Sequence, residues 1–282
     1  MSSNKFYRKR LTLLIGLVVS SSFLFAQTEV GLQLYTFRNQ IPKDIPGMLE
    51  KISKMGIREL EGGGTYGLPV DSFKALLKKN NLKIVSVGAG FKDLDSNVQA
   101  VISNAKTFNA DYVTCTWIPH EKDFTIDHAK KAVEVFNRAG KLLKENGISL
   151  VYHPHGYEFG SYEGGTLFDY MAKNMNPANA NFEMDVFWIK HPGQDPVALL
   201  KKYPKRFPLM HLKDRKPGTP GNQEGRADVE SNVVLGSGDV GIADIMREAP
   251  TAGVKHYFIE DESSRSEQQV PESLAFLKTL RK

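Results

Sequence analysis

The 282-residue chain has one cysteine, Cys115, so no disulfide can form within it. Its one long apolar stretch, residues 11–25, is shorter than the roughly 20 residues that a membrane-spanning helix needs. A Gly-x-Gly-x-x-Gly fingerprint opening a helix after the first strand, typical of dinucleotide-binding sheets, is also absent. With 41% hydrophobic and 24% charged residues, the composition excludes a disordered, collagen-like or disulfide-scaffold chain. The protein must therefore be held together by a hydrophobic core, in which we expect Cys115 to be a small buried side chain.

Acidic residues are absent from the first 28 residues, whereas four basic residues fall within the first ten. The apolar stretch of residues 11–25 follows, and then Ala26 and Gln27. A basic start, an apolar stretch and a small residue before a polar one are typical of a secretory signal peptide. We therefore expect residues 1–26 to be a signal peptide cleaved near Ala26. Residues 27–282 would then form one periplasmic or secreted domain with no stable membrane anchor, and an uncleaved anchor is the alternative.

The net charge of the whole chain is +5, which by itself would suggest an anionic partner such as a nucleic acid. The four basic residues of the signal segment account for most of this excess, and residues 27–282 carry a net charge of only +1. We therefore expect no nucleic acid as a partner. The sequence does not indicate an oligomeric state.

Short β-rich segments alternate with helical patterns along residues 27–282. Eight segments have the length and composition of strands: Val30–Phe37, Ile57–Glu61, Lys83–Val87, Tyr112–Thr116, Ser149–His153, Asn181–Asp185, Pro208–Lys213 and His256–Glu260. The segments between them place apolar residues at three- and four-residue spacing. Eight strands that alternate with helices predict, at this length, a single (β/α)8 TIM barrel, and an open doubly wound sheet is the alternative. The Gly- and Pro-rich stretch 215–239 would lie over the barrel mouth as a lid.

Ligand-type side chains are concentrated where the predicted strands end. These ends are Glu59–Glu61, Tyr152–Glu158, Glu183–Asp185, His211–Asp214 and Glu260–Glu262. The active sites of such barrels lie at the carboxyl ends of the strands, so these side chains should share one rim. Carboxylates and imidazoles on neighbouring strands predict one divalent metal ion, for which Mn²⁺, Co²⁺, Mg²⁺ and Zn²⁺ all remain open. Single members of this set, taken alone, would more often be rim salt bridges.

Several of these segments together resemble the sugar phosphate isomerase/epimerase family, whose fold is a xylose isomerase-like TIM barrel. The resemblance is carried by Gly31–Arg38, Tyr152–Phe159, the strand that ends in Asp185, His211–Asp214 and Ile259–Asp261, and it covers nearly all of residues 27–282. It implies a four-ligand metal site on strands five to eight. The implied ligands are Glu158, Asp185, His211 and Glu260.

Strand five departs from the family pattern. Family epimerases place the first metal-binding Glu six positions before a second Glu, and this chain has Tyr152 there and keeps only Glu158. Either Glu158 reaches the metal, or His153 or His155 takes the place of the missing ligand. The two histidines are two residues apart and share one strand face, so both can point to the barrel mouth. The loss of the first Glu also puts the two-carboxylate proton transfer of the epimerases in doubt.

Four further residues are candidates for contact with the substrate. Lys213 follows His211 by two positions, so it faces the same side and can stabilise an enolate oxygen, or else form a rim salt bridge. Trp117 and Trp188 are candidates for stacking on a sugar face, although aromatic residues are common in cores. Glu61 precedes three glycines that let the backbone approach closely, which suggests contact with substrate hydroxyls, and a flexible turn is the alternative.

These residues predict a secreted, divalent-metal-dependent isomerase or epimerase of an unphosphorylated sugar or keto-sugar, acting through an enediolate. Glu260, Glu158 or His153 would act as the base, Lys213 would stabilise the developing charge, and His155 would contact the substrate. A lyase or hydratase acting on 3-keto-sugars or 3-keto-glycosides through the same enolate is the first alternative. A carbohydrate-binding barrel without activity is the second. The low net charge of residues 27–282 disfavours a DNA-repair nuclease.

Overall fold

A computed structural model describes residues 29–280 of the chain. Eight parallel strands form a closed barrel in chain order: β1 (Val30–Gln33), β2 (Glu59–Glu61), β3 (Lys83–Gly88), β4 (Tyr112–Cys115), β5 (Ser149–Tyr152), β6 (Ala180–Asp185), β7 (Leu209–Leu212) and β8 (His256–Ile259). The predicted (β/α)8 TIM barrel is thereby confirmed. The predicted signal peptide, residues 1–26, lies outside the described residues and stays a prediction, which N-terminal sequencing of the purified protein would test.

Ten α-helices connect and surround the strands: α1 (Ile45–Lys54), α2 (Val70–Lys79), α3 (Phe91–Ser96), α4 (Val98–Phe108), α5 (Ile126–Glu145), α6 (Leu167–Asn174), α7 (Val186–Lys190), α8 (Pro196–Lys202), α9 (Ile242–Ala252) and α10 (Ser266–Thr279), counted within residues 29–280. The amphipathic spacing explains their placement. In α1, the side chains of Met48, Leu49 and Ile52 are buried against the barrel, and Asp44 caps the helix by accepting from the Gly47 amide at 2.9 Å. Within this part of the chain, no helix has the length and apolar character to cross a bilayer.

Six of the eight predicted strands end at a different residue in the structure, five of them by one residue and the first by four. The first strand ends at Gln33 instead of Phe37, because Leu34–Phe37 turns into a 3₁₀-helix that the Gln33 side chain caps by accepting from the Tyr35 amide at 3.1 Å. The fifth strand ends at Tyr152, one residue before His153. In both places the chain leaves the barrel earlier than predicted, and the residues after the strand form part of the rim.

The interior of the barrel is closed below the rim by a small apolar layer. It consists of Val85, Tyr112, Val151, Leu209 and Phe258, one side chain from each of five strands. Gly31 makes room for this layer, because a Cβ there would lie 2.7 Å from the Phe258 ring. The ring of His211 lies 6.3 Å from that of Phe258, edge to face. Side chains further along the strands therefore lie above an apolar layer.

The stretch 215–239 after β7 is firmly anchored. Arg215 pairs with Asp239 through two bonds of 2.9 and 2.8 Å, and the carboxylate of Asp214 accepts from the amides of Gly236, Gly238 and Val240. Gly225, in the left-handed region at φ +69°, packs so closely that a Cβ would lie 2.8 Å from the Tyr157 ring. This stretch therefore lies over one side of the barrel mouth, where the sequence predicts a lid.

Candidate active site and metal centre

The carboxyl ends of the strands surround a cavity of about 800 Å³, which we call the pocket. Its size is within the range of small-molecule sites. The pocket has a polar side and an aromatic side. The polar side includes Gln33, Glu61, His153, His211, Lys213, Glu260 and Glu262, and the aromatic side includes Trp117, His155, Phe187 and Trp188. Residues 225–229 of the anchored stretch complete the wall.

Four side chains converge on the polar side, and we call them the ligand cluster: His153, Asp185, His211 and Glu260. Oδ2 of Asp185 lies 3.8 Å from Nε2 of His153 and 3.8 Å from Nδ1 of His211. Nδ1 of His211 also lies 3.3 Å from Oε2 of Glu260. Ligand atoms about 2.1 Å from one ion are roughly 3.4 Å apart, so His153, Asp185 and His211 have the spacing of a metal site.

The start of α7 fixes the orientation of Asp185. Its Oδ1 accepts from the amides of Phe187 at 2.8 Å and Trp188 at 3.2 Å, which are unpaired first-turn donors of the helix. Oδ2 is therefore directed away from the helix and has no hydrogen-bond partner, although the side chain is fully buried. Nε2 of His153 is buried and unpartnered in the same way. Buried polar atoms without partners are costly, so this pair fits a bound cation well.

The charges around the ligand cluster also favour a cation. The carboxylates of Asp185, Glu260 and Glu262 lie near the ammonium group of Lys213, and those of Glu61 and Glu183 lie near the ring of His211. Burial raises the pKa of Asp185 to about 7, although Lys213 and His211 act in the opposite direction. Burial and the neighbouring Glu61 carboxylate raise the pKa of Glu183 well above its usual range. A divalent ion would supply the missing positive charge.

Lys213 lies within the pocket instead of on the solvated rim. Its side chain is buried, its Nζ is 3.3 Å from Oε2 of Glu260, and it also contacts Glu262. The ammonium group faces the rings of Phe187 at 5.4 Å and Trp188 at 5.6 Å. Burial would lower the pKa of Lys213, but the carboxylates of Glu260, Glu262 and Asp185 outweigh it and raise that pKa. Lys213 is therefore a permanent cation at the side of the ligand cluster.

The predicted aromatic contacts form a continuous wall. The His155 ring lies 5.2 Å from that of Trp188 and 5.8 Å from that of Trp117, and His120 stacks behind Trp117 at 5.0 Å. Nδ1 of His155 donates to the backbone oxygen of His153 at 3.3 Å, so Nε2 is left as the acceptor. Burial lowers the pKa of His155 to about 4, so the ring is neutral near pH 7.

The structure does not bring Glu158 to the pocket. Its carboxylate accepts from the amides of His155 at 3.2 Å and Gly156 at 2.9 Å and contacts the hydroxyl of Tyr152. The Tyr152 ring packs outward against Phe136 at 5.0 Å. Side chains alternate along a strand, so the outward direction of Tyr152 turns His153 inward. His153 thus occupies the place in the cluster that the family pattern had implied for Glu158.

The buried Glu158 predicts an unusual dependence of stability on pH. Burial raises its folded pKa to about 7, above the usual 4.5, so its proton is held more tightly in the folded state. Its contribution is therefore full below about pH 4.5 and falls as the pH rises to 7. We expect Glu158→Gln to gain on the order of 2–3 kcal/mol in unfolding free energy relative to the wild type between pH 5 and 8. Urea unfolding of both proteins at each pH measures this, and parallel pH curves would contradict it.

Three residues of the site received no individual role from the sequence. Gln33 donates to Oε1 of Glu61 at 2.9 Å and fixes that carboxylate at the rim. Glu183 contacts the histidines of the ligand cluster, and Glu262 pairs with Lys213. The place of Glu183 in the site could have been predicted, because it precedes Asp185 by two residues on a strand and so shares its face. The place of Gln33 could not have been predicted in this way, since it depends on where β1 ends.

Comparisons with known proteins agree with this fold. The model of the xylose isomerase-like TIM barrel family matches residues 49–280. A sugar phosphate isomerase/epimerase structure from Parabacteroides distasonis is 26% identical, with a TM-score of 0.76 over 93% of this chain and 98% of that one. The IolI protein, solved with a bound zinc atom, is 14% identical, with a TM-score of 0.70 over 90% of this chain and 96% of that one, and so shares the fold alone.

Curated relatives of the chain include inosose dehydratases. The one from Mesomycoplasma hyopneumoniae strain J is 24% identical over 190 residues, which cover 66% of this chain and 59% of that protein. The matched region spans less than two thirds of the length of these inosose dehydratases: 59% of the Mesomycoplasma hyopneumoniae protein and 30% of the one from Bacillus anthracis. The fold is thereby shared with enzymes named both as isomerases and as dehydratases.

Proposed function

Because the chain belongs to the xylose isomerase-like TIM barrel family, we propose that it is a divalent-metal-dependent enzyme that removes a proton next to the carbonyl group of an unphosphorylated keto-sugar. The observation that carries this proposal is the ligand cluster beside a buried lysine. A metal ion in this cluster and the ammonium group beside it would together stabilise the negative oxygen of an enolate.

The ligand cluster would hold the ion through His153, Asp185, His211 and Glu260. When bound, the ion supplies a positive charge to which a carbonyl oxygen and a neighbouring hydroxyl of the substrate can bind. Neutral imidazoles and carboxylates are ligands for Zn²⁺, Mn²⁺ and Co²⁺, and the zinc in the IolI protein makes Zn²⁺ the first metal to test. The unpartnered Oδ2 of Asp185 and Nε2 of His153 support this assignment.

We propose separate roles for the other residues of the pocket. Lys213, protonated at every physiological pH, stabilises negative charge on the substrate oxygen. His155 is neutral and leaves Nε2 free as an acceptor, so we propose that it takes the proton from carbon. The wall of Trp117 and Trp188 packs against the apolar face of the sugar ring, and Glu61, held by Gln33, accepts from substrate hydroxyls.

We favour elimination or addition of water as the outcome of this chemistry. The relatives are named inosose dehydratases, and a dehydratase is a lyase that removes water. In addition, strand five of this chain ends in Tyr152, so it offers no carboxylate for an epimerisation that needs two. Isomerisation or epimerisation is the second candidate. It is supported by the Parabacteroides distasonis structure, which is named a sugar phosphate isomerase/epimerase.

One experiment tests the proposal and separates the two outcomes. The protein is incubated in D₂O with ketoses and 3-keto-glycosides, with and without Zn²⁺, Mn²⁺ or Co²⁺, and the products are followed by NMR and mass spectrometry. We expect metal-dependent exchange of a carbon-bound proton, with loss of one water from a ketose or of the aglycone alcohol from a 3-keto-glycoside. Exchange without loss of either group would favour the isomerase. Sugar binding without exchange in any metal-loaded sample would contradict the proposal and favour a carbohydrate-binding barrel.

A further inference from the structure

We propose that Glu183 is a positioning residue that orients both histidines of the ligand cluster through its two carboxylate oxygens. Glu183 lies on β6, two residues before Asp185, and its side chain is fully buried. Its Oε2 accepts from Nδ1 of His153 at 3.1 Å, and its Oε1 lies 3.4 Å from Nε2 of His211. This inference rests on the metal centre of the proposed function and goes beyond it, because it gives a role to a residue that the proposed function does not use.

The two contacts select opposite nitrogens in the two rings. His153 has its Nδ1 proton held by Glu183, so its Nε2 carries the lone pair and faces Oδ2 of Asp185 at 3.8 Å. Nε2 of His211 lies 3.4 Å from Oε1 of Glu183 without a hydrogen bond, while its Nδ1 contacts Oε2 of Glu260 at 3.3 Å and faces the same Asp185 oxygen at 3.8 Å. A histidine that binds a metal usually donates its other ring proton to a carboxylate or carbonyl, which fixes the ring and raises its basicity. In the metal-loaded protein, we expect the one carboxylate of Glu183 to do this for both ligands.

The neighbouring acids have other tasks and cannot replace Glu183. Asp185 uses Oδ1 for the first turn of α7, and Glu260 bonds to Lys213 and contacts Nδ1 of His211, the nitrogen on the metal side of that ring. Glu61 lies 3.4 Å from Nε2 of His211 and accepts from Gln33, so it assists one ring only. The unpartnered Oε1 of Glu183 is directed at His211 and lies too far from it for a strong hydrogen bond in the described geometry. We expect this contact to shorten when His211 binds an ion.

The same atoms allow one competing assignment. Glu61, Glu183 and Nε2 of His211 are close enough together to hold an ion of their own. In that case Glu183 would be a ligand of a second ion. His153 engages Oε2 of Glu183, whereas Oε1 is the oxygen that would bind such an ion. The number of ions bound per chain decides between the two.

The test compares Glu183→Gln with a matched control, Glu59→Gln. Glu59 is also a buried barrel glutamate that contacts a histidine, with its Oε2 2.7 Å from Nδ1 of His256, but it lies at the amino-terminal end of β2 away from the pocket. Binding of Zn²⁺ and Co²⁺ is measured by competition with a chromophoric chelator, and stoichiometry by elemental analysis after dialysis. We expect one ion per chain, an affinity about 10- to 100-fold weaker in Glu183→Gln, and no change in Glu59→Gln.

Histidine ¹⁵N NMR provides a readout that a general loss of stability would not move. In the zinc-loaded wild type, we expect His153 to show only the Nδ1–H form and His211 only the Nε2–H form. In Glu183→Gln, an amide can accept from only one ring, so at least one histidine should lose its single form. Glu183→Asp serves if the glutamine variant fails to fold, and should weaken binding in the same direction.

Three results would overturn the inference. Unchanged affinity and unchanged tautomers in a folded Glu183 variant would show that Glu183 does not position the rings. Two ions per chain in the wild type and one in the variant would make Glu183 a ligand. A wild type that binds no ion would remove the metal centre itself and with it the proposed function, whereas the first two results leave the proposed function intact.

Discussion

Replacing Lys213 with methionine is expected to lower kcat/KM for a keto-sugar by about 100- to 1,000-fold, the usual cost of removing one preorganised group that stabilises an oxyanion. Methionine keeps an unbranched side chain of similar length against Phe187 and Trp188 but removes the charge. The loss should fall mainly on kcat, because negative charge develops on the substrate oxygen only as the proton leaves carbon. Steady-state kinetics on the substrate found by the D₂O screen measure both constants.

The substitution also leaves Glu260 and Glu262 without their cation, so stability has to be measured alongside activity. Lys83→Met is the matched control. Lys83 also pairs with a buried glutamate, Glu59, at 2.8 Å, but at the amino-terminal end of the barrel. It should change kcat/KM by less than about twofold. A folded Lys213→Met protein that keeps at least a third of the wild-type kcat would show that Lys213 is a structural ion pair and no more.

The sequence was sufficient for the barrel because hydrophobic periodicity is local. Each strand is a short β-rich segment and each helix has its own apolar stripe, so the alternation is visible without knowledge of contacts. The helices α1 and α5 each bury such a stripe. The end of β1 could not be predicted in the same way. It depends on a bond between the Gln33 side chain and the Tyr35 amide, which competes with strand continuation and leaves no periodic signal.

The sequence predicts which strands contribute to the ligand cluster, but it predicts less well which side chains and atoms of those strands do so. Asp185, His211 and Lys213 follow from strand ends and the two-residue period. Strand five was ambiguous, because Tyr152, His153 and Glu158 all lie near its end, and only the outward packing of Tyr152 on Phe136 decides which side chain points inward. The role of Glu183 depends on which oxygen meets which ring nitrogen, a property of side-chain geometry that no residue spacing specifies.

Asp185→Asn is expected to weaken binding of Zn²⁺ or Co²⁺ by more than the roughly 100-fold that an outer partner contributes, and to abolish turnover. The substitution is nearly isosteric. The asparagine oxygen must accept from the amides of Phe187 and Trp188, since an NH₂ group cannot, and the NH₂ group then takes the place of Oδ2 in the ligand cluster. The variant therefore keeps the cap of α7, but an NH₂ group, which cannot bind a cation, replaces the metal-binding carboxylate oxygen.

Asp195→Asn is a closely matched control for this change. Asp195 caps α8 with the same pair of bonds, from the amides of Val197 at 2.8 Å and Ala198 at 3.2 Å, but is exposed and remote from the pocket. Both variants should keep their helix caps, so only Asp185→Asn should lose the ion. If its metal affinity equals that of the wild type, Asp185 is only a cap and the ligand cluster is wrong. If the ion is lost but turnover survives, the metal is structural, and proton removal depends on Lys213 and His155 alone.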